Sequence, residues 1–144
     1  MIRVTIIGSF KMAEPFEIFP VGTVKKSGTT VTIEIQKEYE AALLGLDQFS
    51  HIIVFGWFHK NDIPEKRNTL QVHPQGNRAK PLRGVFATRS PVRPNLIAIS
   101  TCKILSVKGN IIHIDKIDVF HGTPVIDIKP CLSKDDFSSD LKIP

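Results

Sequence analysis

Most of this chain reads as β-strands, short apolar or alternating runs bounded by turn residues. Between Thr30 and Ile35 the alternation is clean, with Val31, Ile33 and Ile35 on one face and Thr30, Thr32 and Glu34 on the other. Val21 to Val24 predicts a short strand before it, ended by a Lys25-Lys26-Ser27-Gly28 turn. His51 to Phe58 is β-branched and aromatic with few polar breaks, which predicts a strand buried on both faces. Ile97–Val107 and Ile111–Val119 form a hairpin turned at Gly109-Asn110, and Val125 to Ile128 predicts a last short strand. Arg3 to Ile7 is a candidate for one more. A helical spacing occurs at Lys37–Leu44, where Tyr39, Ala42 and Leu43 make a stripe and Gly45 a C-terminal stop. Many strands, one short helix and short turns predict a mainly β fold: a small closed antiparallel β-barrel with long functional loops.

Two connections are more than turns. Lys60 to Arg83 is long and polar, with Leu70 and Val72 as its expected anchors. Loops of that length in a compact domain are functional or disordered. The second, within Gly84–Ser100, sets Arg89, Arg93 and Asn95 around Pro91 and Pro94 before returning to an apolar strand. Proline locks φ and so lowers the entropy lost when a guanidinium fork grips a flat anion such as a carboxylate or phosphate. This stretch is therefore a candidate binding loop; the plainer alternative leaves the arginines in solvent and the prolines as strand ends.

The bulk composition fits one small domain, residues 1–144, with a loosely ordered tail at 132–144. Hydrophobic residues at 42% and charged residues at 23% are ordinary globular values. No apolar run reaches the roughly 18 residues of a membrane span, and the start lacks a convincing signal peptide, so a cytoplasmic protein is expected. Cys102 and Cys131 fit reduced thiols better than a disulfide in such a chain. Net charge is +5. Between Lys60 and Arg93 lie Lys66, Arg67, Arg78, Lys80, Arg83 and Arg89, against only Asp62 and Glu65. A polyanion such as RNA would be drawn to the middle of the chain, although a solvated face would have the same composition.

The histidines do not form a metal set. His51, His59, His73, His113 and His121, with Asp118 and Asp127, lack tight metal-ligand spacing, so no metal is expected. His51 and His113 fall at strand positions and fit structural roles. Trp57 is flanked by apolar residues and fits the core better than a base-stacking platform.

Five segments in order, FPVGTV at 19–24, GLDQFSHIIVFGWFH at 45–59, VHPQG at 72–76, GVFATRSPVRPN at 84–95 and HGTPVIDIKP at 121–130, resemble the TrmO (TsaA-like) family of S-adenosylmethionine-dependent tRNA methyltransferases. The resemblance implies a compact β-barrel, a homodimer with the methyl donor near the subunit interface, and methylation of N6 of N6-threonylcarbamoyladenosine next to a tRNA anticodon. Carried over by motif, the donor site would hold His59, Lys60, Arg89, Ile99 and Ser100, with His121, Gly122, Thr123 and Pro124 as the closing turn. Arg93 and Asn95 would stiffen the site or face the RNA. Arg89 suits the donor's carboxylate, and His59 or Asp118 could accept a proton from the methylated nitrogen.

Four departures from the family pattern bear on this. Many members carry a Pro-Arg-Gln segment in a longer loop after the first motif strand; here Val24 runs through Lys25–Gly28 straight into the next strand. RPNPIG becomes RPNLIA, DGTP becomes HGTP, and DIKPY ends in Cys131. Histidine for aspartate at 121 removes a negative charge near a sulfonium and should weaken donor affinity. Bacterial members often have a second, C-terminal domain that assists tRNA binding. A same-fold methyltransferase acting on a small molecule, or a non-catalytic nucleotide-binding barrel, remains compatible with these residues.

Overall fold

The computed structural model describes residues 13–136 and 138–144, so the candidate strand at Arg3–Ile7 lies outside the described residues. Six strands close into an antiparallel barrel in the order β1 (Gly22–Ser27), β2 (Thr30–Ile35), β7 (Ile111–Ile114), β6 (Ile97–Lys108), β3 (His51–Trp57) and β8 (Pro124–Pro130). Two further short strands, β4 (Gln71–Val72) and β5 (Arg83–Gly84), pair separately. The mainly β barrel expected from the alternation is therefore the fold.

Inward positions on these strands supply the core: Val24, Ile33, Ile35, Ile52, Val54, Cys102, Ile112, Ile114 and Val125 are all buried. The β2 alternation holds from Ile33 to Ile35, while Val31 and Thr32 are both half-buried, and Val24 sits directly opposite Ile33 in register. Trp57 is buried as expected. Both cysteines are free; burial, reinforced by the Asp115 charge, pushes the Cys102 thiol up to about 11.

Several boundaries differ from expectation, each for a local reason. β1 runs on through Lys25, Lys26 and Ser27, because the turn needs only Gly28 and Thr29, with Gly28 at φ +57°. In β3 the inner residues Ile52, Val54 and Gly56 are buried, but Ile53 and Phe55 on the other face are only half-buried. The predicted second hairpin strand stops at Ile114 rather than Val119. The next residue, Asp115, turns its carboxylate to accept the Lys103 backbone N–H at 2.9 Å, which ends the ladder. That hydrogen bond also holds the Asp115 carboxyl below its ordinary value. The segment at Lys37–Leu43 is a 3-10 helix with no side-chain cap and no fully buried residue, not a full α-helix; Gly45 does follow it in the left-handed conformation, at φ +84°.

The long connection has structure of its own. It holds a turn of helix, α1 (Pro64–Arg67), and the β4–β5 pair. Leu70, an expected anchor, is 63% exposed; the segment is fastened instead through Arg67 and the buried Val85. Past Cys131 the chain makes one more helical turn, α2 (Ser133–Asp136).

Gly22 sits where β1 meets both β2 and β8, and a Cβ there would lie 2.7 Å from the Glu34 carbonyl oxygen. Gly22→Ala is expected to destabilise the barrel by about 1–3 kcal/mol in urea unfolding. Gly84→Ala, whose Cβ would meet nothing closer than 3.9 Å, should cost no more than about 0.5 kcal/mol.

Candidate functional site

Alternation along β6 sends Ala98 and Cys102 into the barrel and Ile97, Ile99 and Thr101 outward. Those outward side chains floor a cleft of about 1070 Å³. Its walls are the turn after β3 (Phe58–Asn61), the loop from Thr88 to Arg93, and the connection from Lys116 to Phe120. Segments far apart in sequence therefore meet along Ile97–Thr101 of one strand, with Ala98 and Ser100 also reaching the cleft.

The arginine loop is braced from below. Arg67, at the end of α1 and only 10% exposed, donates through Nε to the Pro94 carbonyl at 2.9 Å and through its terminal nitrogen to Asp62 Oδ1 at 3.0 Å. Its guanidinium also lies 5.4 Å from the Trp57 ring centre, and the Trp57 indole N–H donates to the other Asp62 oxygen at 3.3 Å. A second brace runs from Asn61 Nδ2 to the Pro91 carbonyl at 3.1 Å, with Lys66 donating to Asn61 Oδ1. Within the loop, the Thr88 and Ser90 hydroxyls accept the N–H groups of Ser90 and Val92, and Arg93 folds back onto the Thr88 and Ser90 carbonyls. These local turns and the two prolines hold Arg89 at the cleft with no hydrogen bond or ion pair among the described residues.

The opposite wall is pinned by burial and by a tight turn. Ile117 is buried in the core, while Asp118 and Phe120 stay exposed to the cleft. Thr123 donates both its backbone N–H (3.1 Å) and its hydroxyl (2.7 Å) to the Phe120 carbonyl. Gly122 supplies the φ of +86° this turn requires, and its N–H donates to Val24. Across the cleft, the Lys60 ammonium lies 4.1 Å from the centre of the Phe120 ring.

Of the residues singled out from the sequence, His59, Lys60, Arg89, Arg93, Ile99, Ser100, Asp118 and Thr123 line this cleft. His121, Gly122, Pro124 and Asn95 do not. Asn95 is exposed beyond the rim, and its carbonyl accepts the Ile97 N–H at 2.8 Å. His121 Nδ1 accepts the Lys26 backbone N–H at 2.9 Å, so that nitrogen carries no proton. An aspartate could accept the same bond; the exchange at 121 keeps an acceptor while dropping the charge. His51 and His113 pair with the Ser50 and Ser106 hydroxyls, in keeping with structural roles.

Sequence reasoning missed Lys26, Asn61, Thr88, Lys116 and Phe120. Lys116 and Phe120 were hidden because 111–119 alternates like a strand, and only the Asp115 cap shows where the ladder ends. Asn61 follows His59-Lys60 directly, so continuing that motif by one turn would have found it.

Residues 11–137 match the tRNA-methyltransferase O N-terminal domain. A "Probable S-adenosyl-L-methionine-binding protein" of Methanocaldococcus jannaschii is 50% identical over 110 residues, covering 76% of this chain and 87% of that one. The tRNA (adenine(37)-N6)-methyltransferase of Homo sapiens is 43% identical over 105 residues, covering 73% of this chain but 23% of its own length. The crystal structure of TrmO from Pseudomonas aeruginosa superposes with a TM-score of 0.69 at 25% identity, covering 90% of this chain. This chain spans 62% of that TrmO. The chain belongs to the TrmO N-terminal domain family.

The brace under the arginine loop is testable. Arg67→Met is expected to lower stability by about 1–3 kcal/mol, since it leaves the Pro94 carbonyl without its donor and Asp62 with the Trp57 indole alone. Hydrogen exchange at the Ser90 and Val92 amides should speed up with it. Arg67→Lys should recover only part of this, because one ammonium cannot reproduce the guanidinium fork.

Proposed function

We propose that the cleft binds S-adenosylmethionine and that the chain is a methyltransferase acting on N6 of an adenosine in tRNA, with N6-threonylcarbamoyladenosine beside the anticodon as the acceptor. The observation that carries this reading is the convergence of His59, Lys60, Arg89, Ser100, Asp118 and Thr123 on one cleft, with the Arg89 guanidinium free to take an anion. The residues present fit the donor. Arg89 would hold its carboxylate, Asp118 a hydroxyl or ammonium group, and Ile97 and Ile99 would cover apolar surface. The relatives named above as donor-binding and as tRNA methyltransferases support the same assignment.

When bound, S-adenosylmethionine supplies a methyl group already activated on a sulfonium. The chain's own task is to hold the acceptor nitrogen in line and to exclude water. As the new C–N bond forms, the nitrogen must shed a proton. His59 and Asp118, both at the cleft, are the groups placed to take it.

The acceptor side is supported by charge. From Lys66 to Ile114 the chain has no acidic residue, and this stretch contains both the β4–β5 excursion and the arginine loop. Phosphate groups of an RNA would be drawn to those of its basic side chains that have no carboxylate partner. Arg93 belongs to this face from the cleft side and Asn95 from the rim. A homodimer, with the donor near the subunit interface, fits the same reading. A tRNA acceptor would place the reaction in the cytoplasm, carried by residues 1–144 as one barrel domain. No helix among the described residues is long and apolar enough to cross a membrane.

Calorimetry with S-adenosylmethionine, followed by a methyl-transfer assay on tRNA with and without the threonylcarbamoyl group, tests this. Donor binding in the micromolar range and transfer only to the modified tRNA are expected. Arg89→Ala should lower donor affinity at least about a hundredfold, as loss of a bidentate charge-assisted pair demands. Unchanged affinity in that variant would move the donor site elsewhere. Binding without transfer to any tRNA would point to a small-molecule acceptor.

A further inference from the structure

The charge on the cleft walls poses a problem for a cationic donor. Lys26, Lys60, Arg89, Arg93 and Lys116 line the cleft, against Asp118 as its one carboxylate among the described residues. S-adenosylmethionine differs from its demethylated product chiefly by a positive charge on sulfur. Coulomb repulsion in so basic a cleft favours the neutral product over the donor unless some feature attracts the sulfonium specifically.

Phe120 is such a feature. Its ring is 64% exposed, it lines the cleft, and its face already carries one cation, the Lys60 ammonium 4.1 Å from the ring centre. The ring's position is set by its own turn. The Phe120 carbonyl takes two hydrogen bonds from Thr123, Gly122 holds the left-handed bend, and Ile117 three residues earlier is buried in the core. Lys60, by contrast, is exposed and reaches the ring on a flexible stem. An ammonium leaving the ring regains strong hydration, whereas a trialkyl sulfonium has little hydration to lose on arriving. Exchange of one cation for the other is therefore favourable on solvation grounds.

We propose that the face of Phe120 is the seat of the donor's sulfonium and sets the preference of the cleft for the charged donor over the neutral product, with Lys60 as the cation it displaces. This rests on the donor reading of the cleft given above. It assigns to an exposed aromatic residue a role in discriminating charge, which packing alone would not provide.

Calorimetric titration of the wild type, Phe120→Leu and Phe120→Tyr with S-adenosylmethionine and with S-adenosylhomocysteine tests the proposal. Leucine keeps most of the apolar volume and removes the π face. Phe120→Leu is expected to lose about tenfold in affinity for the donor and less than about twofold for the product, while Phe120→Tyr keeps both within about twofold. Because the side chain is mostly exposed, the thermal midpoint of both variants should match the wild type, which separates ligand effects from folding. Equal losses for the two ligands, or no loss for either, with wild-type binding intact, would overturn the sulfonium seat and leave the donor site standing. Failure of the wild type to bind either ligand would overturn both.

Discussion

The seam between β1 and β8 is a short one, Gly22 opposite Val125 and Thr23 opposite Pro124, yet it closes the barrel. Backbone bonds just outside the register extend it: Val21 N–H to Val125 at 2.7 Å, Val24 N–H to Thr123 at 2.9 Å, and Gly122 N–H to Val24 at 2.8 Å. The close fit of Gly22 against the Glu34 carbonyl lets β1 serve two neighbours at once. These bonds end on the same turn that holds Phe120, so closing the barrel and building one wall of the cleft are a single event. A barrel left open at this seam would keep most of its core and lose that wall.

The other wall depends on a different kind of interaction. The arginine loop has little apolar surface to bury, and apart from the buried Val85 and Leu96 on either side of it, polar bonds hold it in place. Arg67 is the centre of these, joining α1, the Trp57 ring, Asp62 and the Pro94 carbonyl. One cation is consumed in positioning so that another, Arg89, can stand free. The basic residues of the chain's middle are thus divided between those that brace the loop and those left unpaired at the cleft, a division that net charge does not show.

The barrel was legible from the clean alternation of β2, the apolar β-branched run of β3 and the Gly109-Asn110 turn that follows β6. Of the residues at the cleft, His59, Arg89 and Thr123 were legible through their motifs and Lys60 and Ser100 through their place beside them, while Asp118 was singled out only for its chemistry. What was not legible depended on contacts between distant segments. The Asp115 carboxylate stopping β7 needs Lys103 across the hairpin, and alternation alone carried that strand on to Val119. The 3-10 geometry of Lys37–Leu43 follows from the absence of a deep apolar face to pack, which a local stripe of three side chains does not reveal. Hydropathy points to Leu70 as an anchor, but a charged residue, Arg67, performs that task through bonds to Asp62 and the Pro94 carbonyl that only the fold brings into reach. The motif groups His121 with the donor turn; in the fold its Nδ1 accepts the Lys26 N–H, a contact between distant segments that the motif does not show.

The alternation of β6 also decides where a nucleophile is kept. Ile99 and Thr101 face the cleft, and the next residue, Cys102, points the opposite way, into the barrel, with its thiol pushed up to about 11 by burial. On the reading proposed above, the cleft holds a potent alkylating agent. A thiolate within reach of it would be methylated in place of the substrate, and each such event would inactivate a molecule of protein. A shift of one residue in the β6 register would turn that sulfur outward. On that reading the β6 register keeps this sulfur away from the donor, enclosed inside the barrel with its thiol protonated.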